Sequence, residues 1–348
     1  MHELGMSAFS AVIGKDWELG TVLSLQYNNR KDPRQSVEIA IAPEFGSNMF
    51  RFRADEEDIF YCDRELLKES DWTGAFPLWP LPNRVRDKKY TFEGRTVSLE
   101  SIRRKRGNTP LIHGLVDNQI WEYEEPTVEK DFAAVKTHIS ITANSPLYAY
   151  FPFESELMLH YILHHDQVKV QYTVRNNEHR ETKRNMPFGF ALHPYFATLS
   201  GKVETFVRLP ADYIMEADEE LLPSGKLREV SGTQYDLRQP LPVSRLQLDT
   251  VFTGLHPGEK ASVDYRTLGM KVNLSSSEEF SHLVLYTLED GFIVLENQTG
   301  STDMINLYTR AIEEHNIELE KAAHLLILPP GHSHSGHIIY QIEHYRNP

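Results

Sequence analysis

The sequence predicts an all-β protein, arranged as a sandwich or a barrel with few short helices. Short runs in which apolar and polar residues alternate recur along the 348 residues, and Gly, Pro, Asn, Asp or Ser bound most of them. Stretches with helical periodicity are scarce. Many short strands separated by turn residues are typical of sandwiches and barrels. No low-complexity linker or internal repeat marks a boundary, so we expect one domain over residues 1–348.

The first predicted strands form an antiparallel pair near the start of the chain. Val37, Ile39 and Ile41 alternate with Glu and Ala residues, which is the period of a strand with one apolar face. Residues 43–47 supply Pro, Gly and Ser for a turn, and residues 49–52 begin the next strand.

The clearest predicted hairpin lies at residues 155–176. Two alternating runs flank His165 and Asp166, so the chain reverses at these two residues. Further strands are predicted at residues 283–287, 292–296, 324–328 and 337–342. Short helices are predicted at residues 63–69 and 310–323, the second being in part a charged loop.

Composition narrows the classes of partner. A formal net charge of −14 argues against a nucleic-acid or anionic-membrane partner, because both attract a positive surface. Cys62 is the single cysteine, so no internal disulfide forms and a reducing compartment is expected. The first residues lack a basic start, and nowhere do about 18 apolar residues run together, so neither a signal peptide nor a transmembrane helix is predicted. We therefore expect a cytoplasmic protein, either monomer or homodimer.

Two stretches suggest acid and base chemistry. His193 lies among the aromatic residues of the run 186–200, and aromatic rings stack well on the apolar faces of sugars. A single His in an apolar stretch is more often a hydrogen-bonded structural residue. However, Glu296 ends a distant apolar run where the chain leaves the interior. A His and a Glu of this kind could form an acid and base pair.

Three more polar residues stand in suggestive settings. Arg84 follows a Pro-Asn break and could bind sugar hydroxyls, although a solvated surface Arg is the commoner outcome. His113 precedes Gly114, where the backbone can turn sharply. Asp249 interrupts an apolar run and needs a partner or ligand if buried, although Asp residues at strand ends often cap turns.

A His-rich stretch near the C-terminus raises the question of a metal. His332, His334 and His337 follow Pro330 and Gly331, and alternate His residues on a strand can bind a metal. No fourth ligand is evident and the setting is typical of a surface loop, so no metal site is predicted.

Taken together and in this order, these stretches resemble the aldose 1-epimerase (galactose mutarotase-like) family. The resemblance rests on PNR at 82–84, HG at 113–114, HPYF at 193–196, LD followed by an aromatic residue at 248–252, a Glu early in 295–306, and PG at 330–331. Each motif is weak alone, but their order extends over about residues 35–342.

The resemblance implies a large antiparallel β-sandwich with a sugar site in an open cleft on one sheet. It implies that Glu296 is the general base, His193 the general acid and His113 an assisting imidazole near the ring oxygen, while Arg84 and Asp249 hold substrate hydroxyls. On residue type and neighbourhood, Trp121 and Tyr286 are candidate stacking platforms.

The sequence departs from the family pattern at two places. Asn297, Gln298 and Thr299 follow the Glu where many members have a Pro, and Met304 and Ile305 stand where small residues are common. These departures put the sugar preference in question more than the chemistry.

The chemistry of anomer exchange suits these residues. Interconverting the α and β anomers of an aldohexose takes the proton from the C1 hydroxyl and gives one to the ring oxygen, so no metal, nucleotide or other cofactor is needed. With ordinary pKa values near 4.3 for Glu and 6.5 for His, the carboxylate accepts and the imidazolium donates. Activity is then expected to fall on both sides of a pH optimum, as Glu296 is protonated or His193 loses its proton.

Three alternative functions remain open. A hexose-6-phosphate 1-epimerase of the same fold would use a basic run, Arg103 to Arg106, to bind phosphate. A non-catalytic sugar-binding protein would keep the fold without anomer exchange. A polysaccharide lyase or glycosidase on a similar sandwich would cleave oligosaccharides.

Overall fold

The computed structural model describes residues 8–29, 32, 35–102 and 111–346. The strands in the first part of the chain are β1 (Phe9–Asp16), β2 (Gly20–Asn28), β3 (Ser36–Ala42), β4 (Asn48–Ala54), β5 (Glu57–Asp58), β6 (Ala75–Leu78), β7 (Arg84–Val85), β8 (Lys89–Phe92), β9 (Arg95–Ser98), β10 (Leu111–Ile112), β11 (Glu122–Tyr123), β12 (Thr127–Val128) and β13 (Ala133–Ile141).

The strands in the remainder are β14 (Ser155–Leu163), β15 (Gln167–Asn176), β16 (Met186–Phe188), β17 (Ala191–Ala197), β18 (Thr205–Arg208), β19 (Ala211–Ala217), β20 (Pro223–Glu229), β21 (Leu241–Pro242), β22 (Asp249–Leu255), β23 (Ala261–Tyr265), β24 (Met270–Ser276), β25 (His282–Tyr286), β26 (Phe292–Gln298), β27 (Leu326–Leu328) and β28 (Ser333–His344). The helices are α1 (Arg64–Lys68), α2 (Gly201–Glu204), α3 (Met304–Glu313) and α4 (Ile317–Ala323).

Two large antiparallel sheets dominate the architecture. The ten-stranded sheet has the order β11-β13-β14-β15-β28-β24-β23-β18-β21, with β12 also paired to β13. The seven-stranded sheet has the order β20-β19-β22-β25-β26-β17-β6. Strands β1 to β5 form a third sheet in sequence order, and β7 pairs with β10 in a short ribbon. The predicted all-β antiparallel class is confirmed.

The main hydrophobic core lies between the two large sheets. Phe196 on β17 belongs to the seven-stranded sheet and Tyr340 on β28 to the ten-stranded sheet, and their ring centroids lie 6.0 Å apart with Phe60 contacting both. Tyr172 on β15 stacks on Phe190 at 4.5 Å. The sandwich is therefore closed by aromatic contacts between its layers, which leaves the other face of the seven-stranded sheet to carry a site.

The clearest sequence patterns are found as predicted. Strands β14 and β15 form the expected hairpin, in full register from Ser155 opposite Asn176 to Leu163 opposite Val168. Strands β3 and β4 form the expected antiparallel pair. Asp63 caps α1 by accepting hydrogen bonds from the N–H groups of Glu65 and Leu66, which is the usual role of Asp at this position. That the chain forms one domain stays a prediction.

The helical segment predicted at residues 310–323 is longer than expected and is divided. Helix α3 already begins at Met304, and residues 314–316 separate it from α4, whose first turn is capped by Asn316. The start is hidden in the sequence because Asp303 has a left-handed backbone with φ 57° and its side chain caps no N–H of the helix. Apolar residues from both helices pack together with Met215 of β19.

Candidate active site

His193 and Glu296 face each other on two adjacent strands of the seven-stranded sheet. The register of β17 and β26 pairs Leu192 with Asn297 and Tyr195 with Val294, so His193 lies opposite Glu296. His193 Nε2 lies 3.5 Å from Glu296 Oε2. Both residues are buried, with 7% and 1% of their surface exposed. Because side chains alternate along a strand, the neighbours of His193 point into the core while its ring points to the opposite face.

A cavity of about 300 Å³ lies on this face of the sheet, hereafter the main cavity. Its polar lining includes Arg84, His113, His193, Asp249 and Glu296. Its aromatic lining consists of Tyr61, Trp72, Tyr195, Tyr286 and Phe292. A concave site with apolar walls and a few converging polar groups is the usual form of a small-molecule site. The five predicted polar residues are thus brought together from five distant segments.

His113 is held beside His193 by a strained turn. Its backbone has φ 70°, in the left-handed region that costs a non-glycine residue about 1 kcal/mol, and its N–H donates to the Asn83 carbonyl at 2.9 Å. Gly114 follows, also left-handed, where a side chain would meet the Trp79 carbonyl. The ring centroids of His113 and His193 lie 4.6 Å apart, edge to face. Left-handed residues of this kind concentrate at functional sites.

Arg84 and Asp249 form a polar pair at the side of the main cavity. Arg84 Nη2 lies 3.4 Å from Asp249 Oδ2, and both side chains are about four-fifths buried. Asp303, beside the start of α3, holds the strand that carries Arg84: its N–H donates to the Arg84 carbonyl at 3.0 Å, and its Oδ1 accepts from the Arg86 N–H at 3.1 Å. The backbone that carries Arg84 is therefore held by Asp303, and the guanidinium itself is oriented by Asp249.

Burial changes the protonation expected for the acid and base pair. Desolvation raises the pKa of Glu296 to about 8, with the charge of Asp249 adding to the effect and a hydrogen bond from Gln298 opposing it. Desolvation also lowers the pKa of His193 to about 3, with Arg84 adding to the effect. At neutral pH the pair is therefore a protonated carboxyl beside a neutral imidazole, which corrects the carboxylate and imidazolium expected from ordinary pKa values.

Gln298 is a site residue that the sequence motifs did not identify. It is fully buried two residues after Glu296 on the same face of β26, and its Nε2 donates a hydrogen bond to Glu296 Oε1. This contact orients the carboxyl group and favours its ionised form, as hydrogen bonds to a carboxylate do. The signal in the sequence that could have identified Gln298 is its spacing of two residues from Glu296, since residues i and i+2 of a strand share a face.

The structure places the two candidate stacking residues differently. Tyr286 lines the main cavity, and its hydroxyl donates to Glu289 at 3.3 Å. Trp121 does not line it: the side chain is 2% exposed in the core and its indole N–H donates to the Val116 carbonyl at 3.1 Å. The platform prediction for Trp121 is therefore corrected. Trp72, which the sequence reasoning missed, lines the cavity and contacts His113 at 4.5 Å between ring centroids.

The remaining predictions concern metals, phosphate and membranes. Among the described residues no three or more His, Cys, Asp or Glu side chains are grouped to hold a metal ion, and this includes His332, His334 and His337. The basic run Arg103 to Arg106 lies outside the described residues. No helix in the described ranges is long and apolar enough to cross a membrane.

The departure at Met304 has a packing explanation. Met304 is 2% exposed, and its side chain fills space directly beside Gly189 and Gly300. A side-chain carbon on Gly189 would lie 2.2 Å from Met304 Cε, and one on Gly300 would lie 2.6 Å from its sulfur. The larger residue is thus accommodated by two glycines that flank it.

Comparison with known proteins agrees with this arrangement. A model of the aldose 1-epimerase family matches residues 35–341. Among solved structures, a galactose mutarotase-like protein from Clostridium acetobutylicum is 20% identical, with a TM-score of 0.79 over 97% of this chain and 98% of that one. Galactose 1-epimerase from Lactobacillus acidophilus NCFM is 16% identical, with a TM-score of 0.74 over 98% of this chain and 100% of that one.

A third structure, an aldose epimerase homologue from C. elegans, is 14% identical, with a TM-score of 0.71 over 92% of this chain and 98% of that one. At these identities the structural likeness shows a shared fold. The family match extends over most of the chain and includes every polar residue of the main cavity named above. The chain belongs to the aldose 1-epimerase family.

Proposed function

We propose that this protein is an aldose 1-epimerase that interconverts the α and β anomers of a free aldohexose. The observation that carries the proposal is the pair of buried titratable groups, His193 Nε2 and Glu296 Oε2, 3.5 Å apart in a cavity lined by aromatic rings and hydroxyl-binding groups. The family match supports it, as does the fold shared with a protein named galactose 1-epimerase.

The reaction requires that one proton be removed from the sugar and that another be donated to it. As the C1 hydroxyl loses its proton to one group of the pair, the bond between C1 and the ring oxygen breaks and that oxygen takes a proton from the other group. The open aldehyde then rotates about C1–C2, and the two transfers run in reverse as the ring closes on the other face of C1. Each positioned proton transfer is typically worth about 10²- to 10⁴-fold in rate.

The neutral state of the pair suits this exchange. A protonated Glu296 with a neutral His193 and an ionised Glu296 with a protonated His193 hold the same number of protons and differ only in where one proton lies. For a sugar bound beside the pair, one group can therefore take the proton of the C1 hydroxyl while the other protonates the ring oxygen. The role of either group reverses on reclosure, so the enzyme returns to its starting state after each turnover.

The charges of the main cavity favour a free sugar over a phosphosugar. Arg84 is the one Arg or Lys among the described residues that line it, and this side chain is already paired with Asp249. Glu289 also lines the cavity. Phosphate sites usually present several cations or a bidentate Arg that is free to bind, and the described lining presents neither.

The test is the polarimetric rate at which freshly dissolved α-glucose and α-galactose equilibrate, for wild type and for Glu296→Gln. The substitution keeps the shape of the side chain and removes its titratable proton. We expect wild type to accelerate equilibration and the variant to lose at least about 100-fold in rate while keeping its circular dichroism spectrum. Binding of sugar without acceleration by wild type would favour a non-catalytic sugar-binding protein. Acceleration with glucose 6-phosphate alone would favour the phosphosugar enzyme.

A further inference from the structure

A second cavity, of about 320 Å³, adjoins the main cavity on the same sheet. Asp249 lines both cavities, so they meet at the first residue of β22. Val251 also lines the second cavity and shares the face of Asp249, because residues two apart on a strand point the same way. Each cavity alone has a volume at the lower end of the range of about 300–1,000 Å³ typical of ligand sites, and together they make one extended groove.

The second cavity holds polar groups that nothing in the fold explains. Thr302 lines it and is 1% exposed, and its Oγ1 has no hydrogen-bond partner among the described residues. Leaving a buried hydroxyl unsatisfied costs about 1–3 kcal/mol, but this oxygen is closed to solvent, so a ligand in the cavity meets it only if the Thr302 side chain shifts.

Glu216 and Arg228 also line the second cavity, and within the described ranges neither has an ion pair or a side-chain hydrogen bond. Arg228 lies over the Tyr235 ring at 5.2 Å, which leaves its N–H groups available. The lining thus combines a free acceptor, a free donor and an aromatic ring.

The charge of the second cavity argues for a neutral ligand. Glu216, Asp218 and Asp249 line it against Arg228, and Asp218 is paired with Arg86 at 2.8 Å. Asp249 is paired with Arg84, so the unpaired charges are Glu216 and Arg228, which balance each other and leave no excess of positive charge for a phosphate. Carboxylate, guanidinium and aromatic groups together bind hydroxyls and the apolar face of a sugar ring.

The cavity also has a fixed apolar wall. Met215, which lines it, packs against Leu307 of α3 and Leu319 of α4, and Val251 contacts the same cluster. Helices α3 and α4, which the sequence predicted only in part, therefore support the second cavity. A wall built on packed elements keeps its shape without a ligand, which lowers the entropic cost of binding.

We propose that the second cavity is a binding site for a second sugar residue, so that the preferred substrate is a neutral reducing disaccharide. Its reducing-end ring occupies the main cavity, and the attached ring lies beyond Asp249 against Tyr235, Glu216 and Arg228. The proposal rests on the proposed function, since the reducing end is the part whose anomers exchange.

The test compares maltose and lactose with glucose and galactose, in wild type and in Ala217→Trp. Ala217 is an exposed residue of the second-cavity lining, and a Trp there occupies the space of the second ring. A matched Ala217→Ser variant controls for substitution at this position. We expect wild type to show a KM about tenfold lower for at least one disaccharide than for its reducing monosaccharide, the effect of one or two net hydrogen bonds. Ala217→Trp abolishes that difference and leaves monosaccharide kinetics unchanged.

Equal KM values for disaccharides and monosaccharides in wild type overturn the proposal, as does an equal effect of Ala217→Trp on both. If wild type exchanges no anomers at all, the proposed function fails, and calorimetry with the same sugars and variants decides the second site separately. Tighter disaccharide binding that is lost in Ala217→Trp supports the site, and absent or unchanged disaccharide binding overturns it.

Discussion

His193 stacks on Phe76 with ring centroids 4.9 Å apart and an angle of 12° between the planes. The two residues are opposite each other on β17 and β6, so the imidazole is fixed between Phe76 on one strand and Glu296 on the next. The stacking and the carboxyl group together restrict the orientation of the ring in the main cavity. Apolar contact with Phe76 also keeps water from the ring, which is the physical cause of the lowered pKa of His193.

The acid and base pair is expected to act as a unit. Changing His193 to Gln or Glu296 to Gln should each reduce kcat by about 10²- to 10⁴-fold, because one proton transfer is lost. The double variant should be little slower than either single variant, since groups that act together are strongly non-additive. Polarimetric rates of the three variants test this. Losses that multiply in the double variant would show that the two side chains work independently.

The pH dependence follows from the two shifted pKa values. The pair holds its transferable proton between the lowered pKa of His193 and the raised pKa of Glu296, about 3 and about 8. We expect kcat/KM to be level from about pH 5 to 7 and to fall above about pH 8, where the carboxyl group loses its proton. A decline that begins near pH 6.5 would instead indicate an imidazole with its ordinary pKa.

The pH at which kcat/KM declines should depend on Gln298. Its amide N–H favours the ionised carboxylate of Glu296, so Gln298→Met should raise the pKa further and move the high-pH limb to higher pH. Asn297→Ser is the matched control, because the Asn297 side chain donates to Ser276 Oγ and not to the carboxyl group. A pH profile of kcat/KM for both variants is the measurement. A merely structural role for Gln298 would lower activity without moving the limb.

Stability should also depend on the Glu296 carboxyl. Its pKa is about 8 when folded against an ordinary value of 4.5, so the stabilising proton is fully present below about pH 4.5 and is lost as pH rises through 8. Between about pH 6.5 and 8 the free energy of unfolding of wild type should fall by about 2 kcal/mol relative to Glu296→Gln. Urea unfolding at several pH values measures this. Parallel pH curves for the two proteins would contradict the raised pKa.

Because His113 has a left-handed backbone conformation, two substitutions can distinguish its structural role from its chemical role. Asn tolerates this conformation better than Ala, so His113→Asn should be more stable than His113→Ala by up to about 1 kcal/mol. Both variants lose the imidazole beside His193 and should lose activity to a similar extent. Thermal unfolding and polarimetry of the two proteins provide the comparison. Full activity in His113→Asn would show that the imidazole is dispensable.

Trp72 and Trp121 should behave in opposite ways. Trp121→Ala removes a buried core side chain and should cost about 3–5 kcal/mol of stability. Trp72→Ala removes a wall of the main cavity and should chiefly raise KM for the sugar. Denaturant unfolding and kinetics on both variants distinguish them. If Trp121→Ala raised KM more than Trp72→Ala did, Trp121 would be the stacking platform, as the sequence suggested.

The sequence by itself determined the strand pattern and the identity of the polar groups in the main cavity. Alternation of apolar residues reports which face of a strand is buried, so the hairpin β14–β15 and the alternating strand β3 were predictable. Arg84, His113, His193, Asp249 and Glu296 were found through short motifs whose order along the chain matched one family, and all five line the main cavity.

Tertiary structure alone decided which groups meet and how they ionise. Nothing local distinguishes Trp72 from Trp121, because the chain's path through the core determines which indole reaches the cavity. The pKa values of His193 and Glu296 depend on how much water the packed sheet excludes from them, and no run of residues encodes that quantity. The second cavity likewise exists only because β19, β22 and the helix pair α3–α4 converge, so its lining comes from segments that the sequence keeps apart.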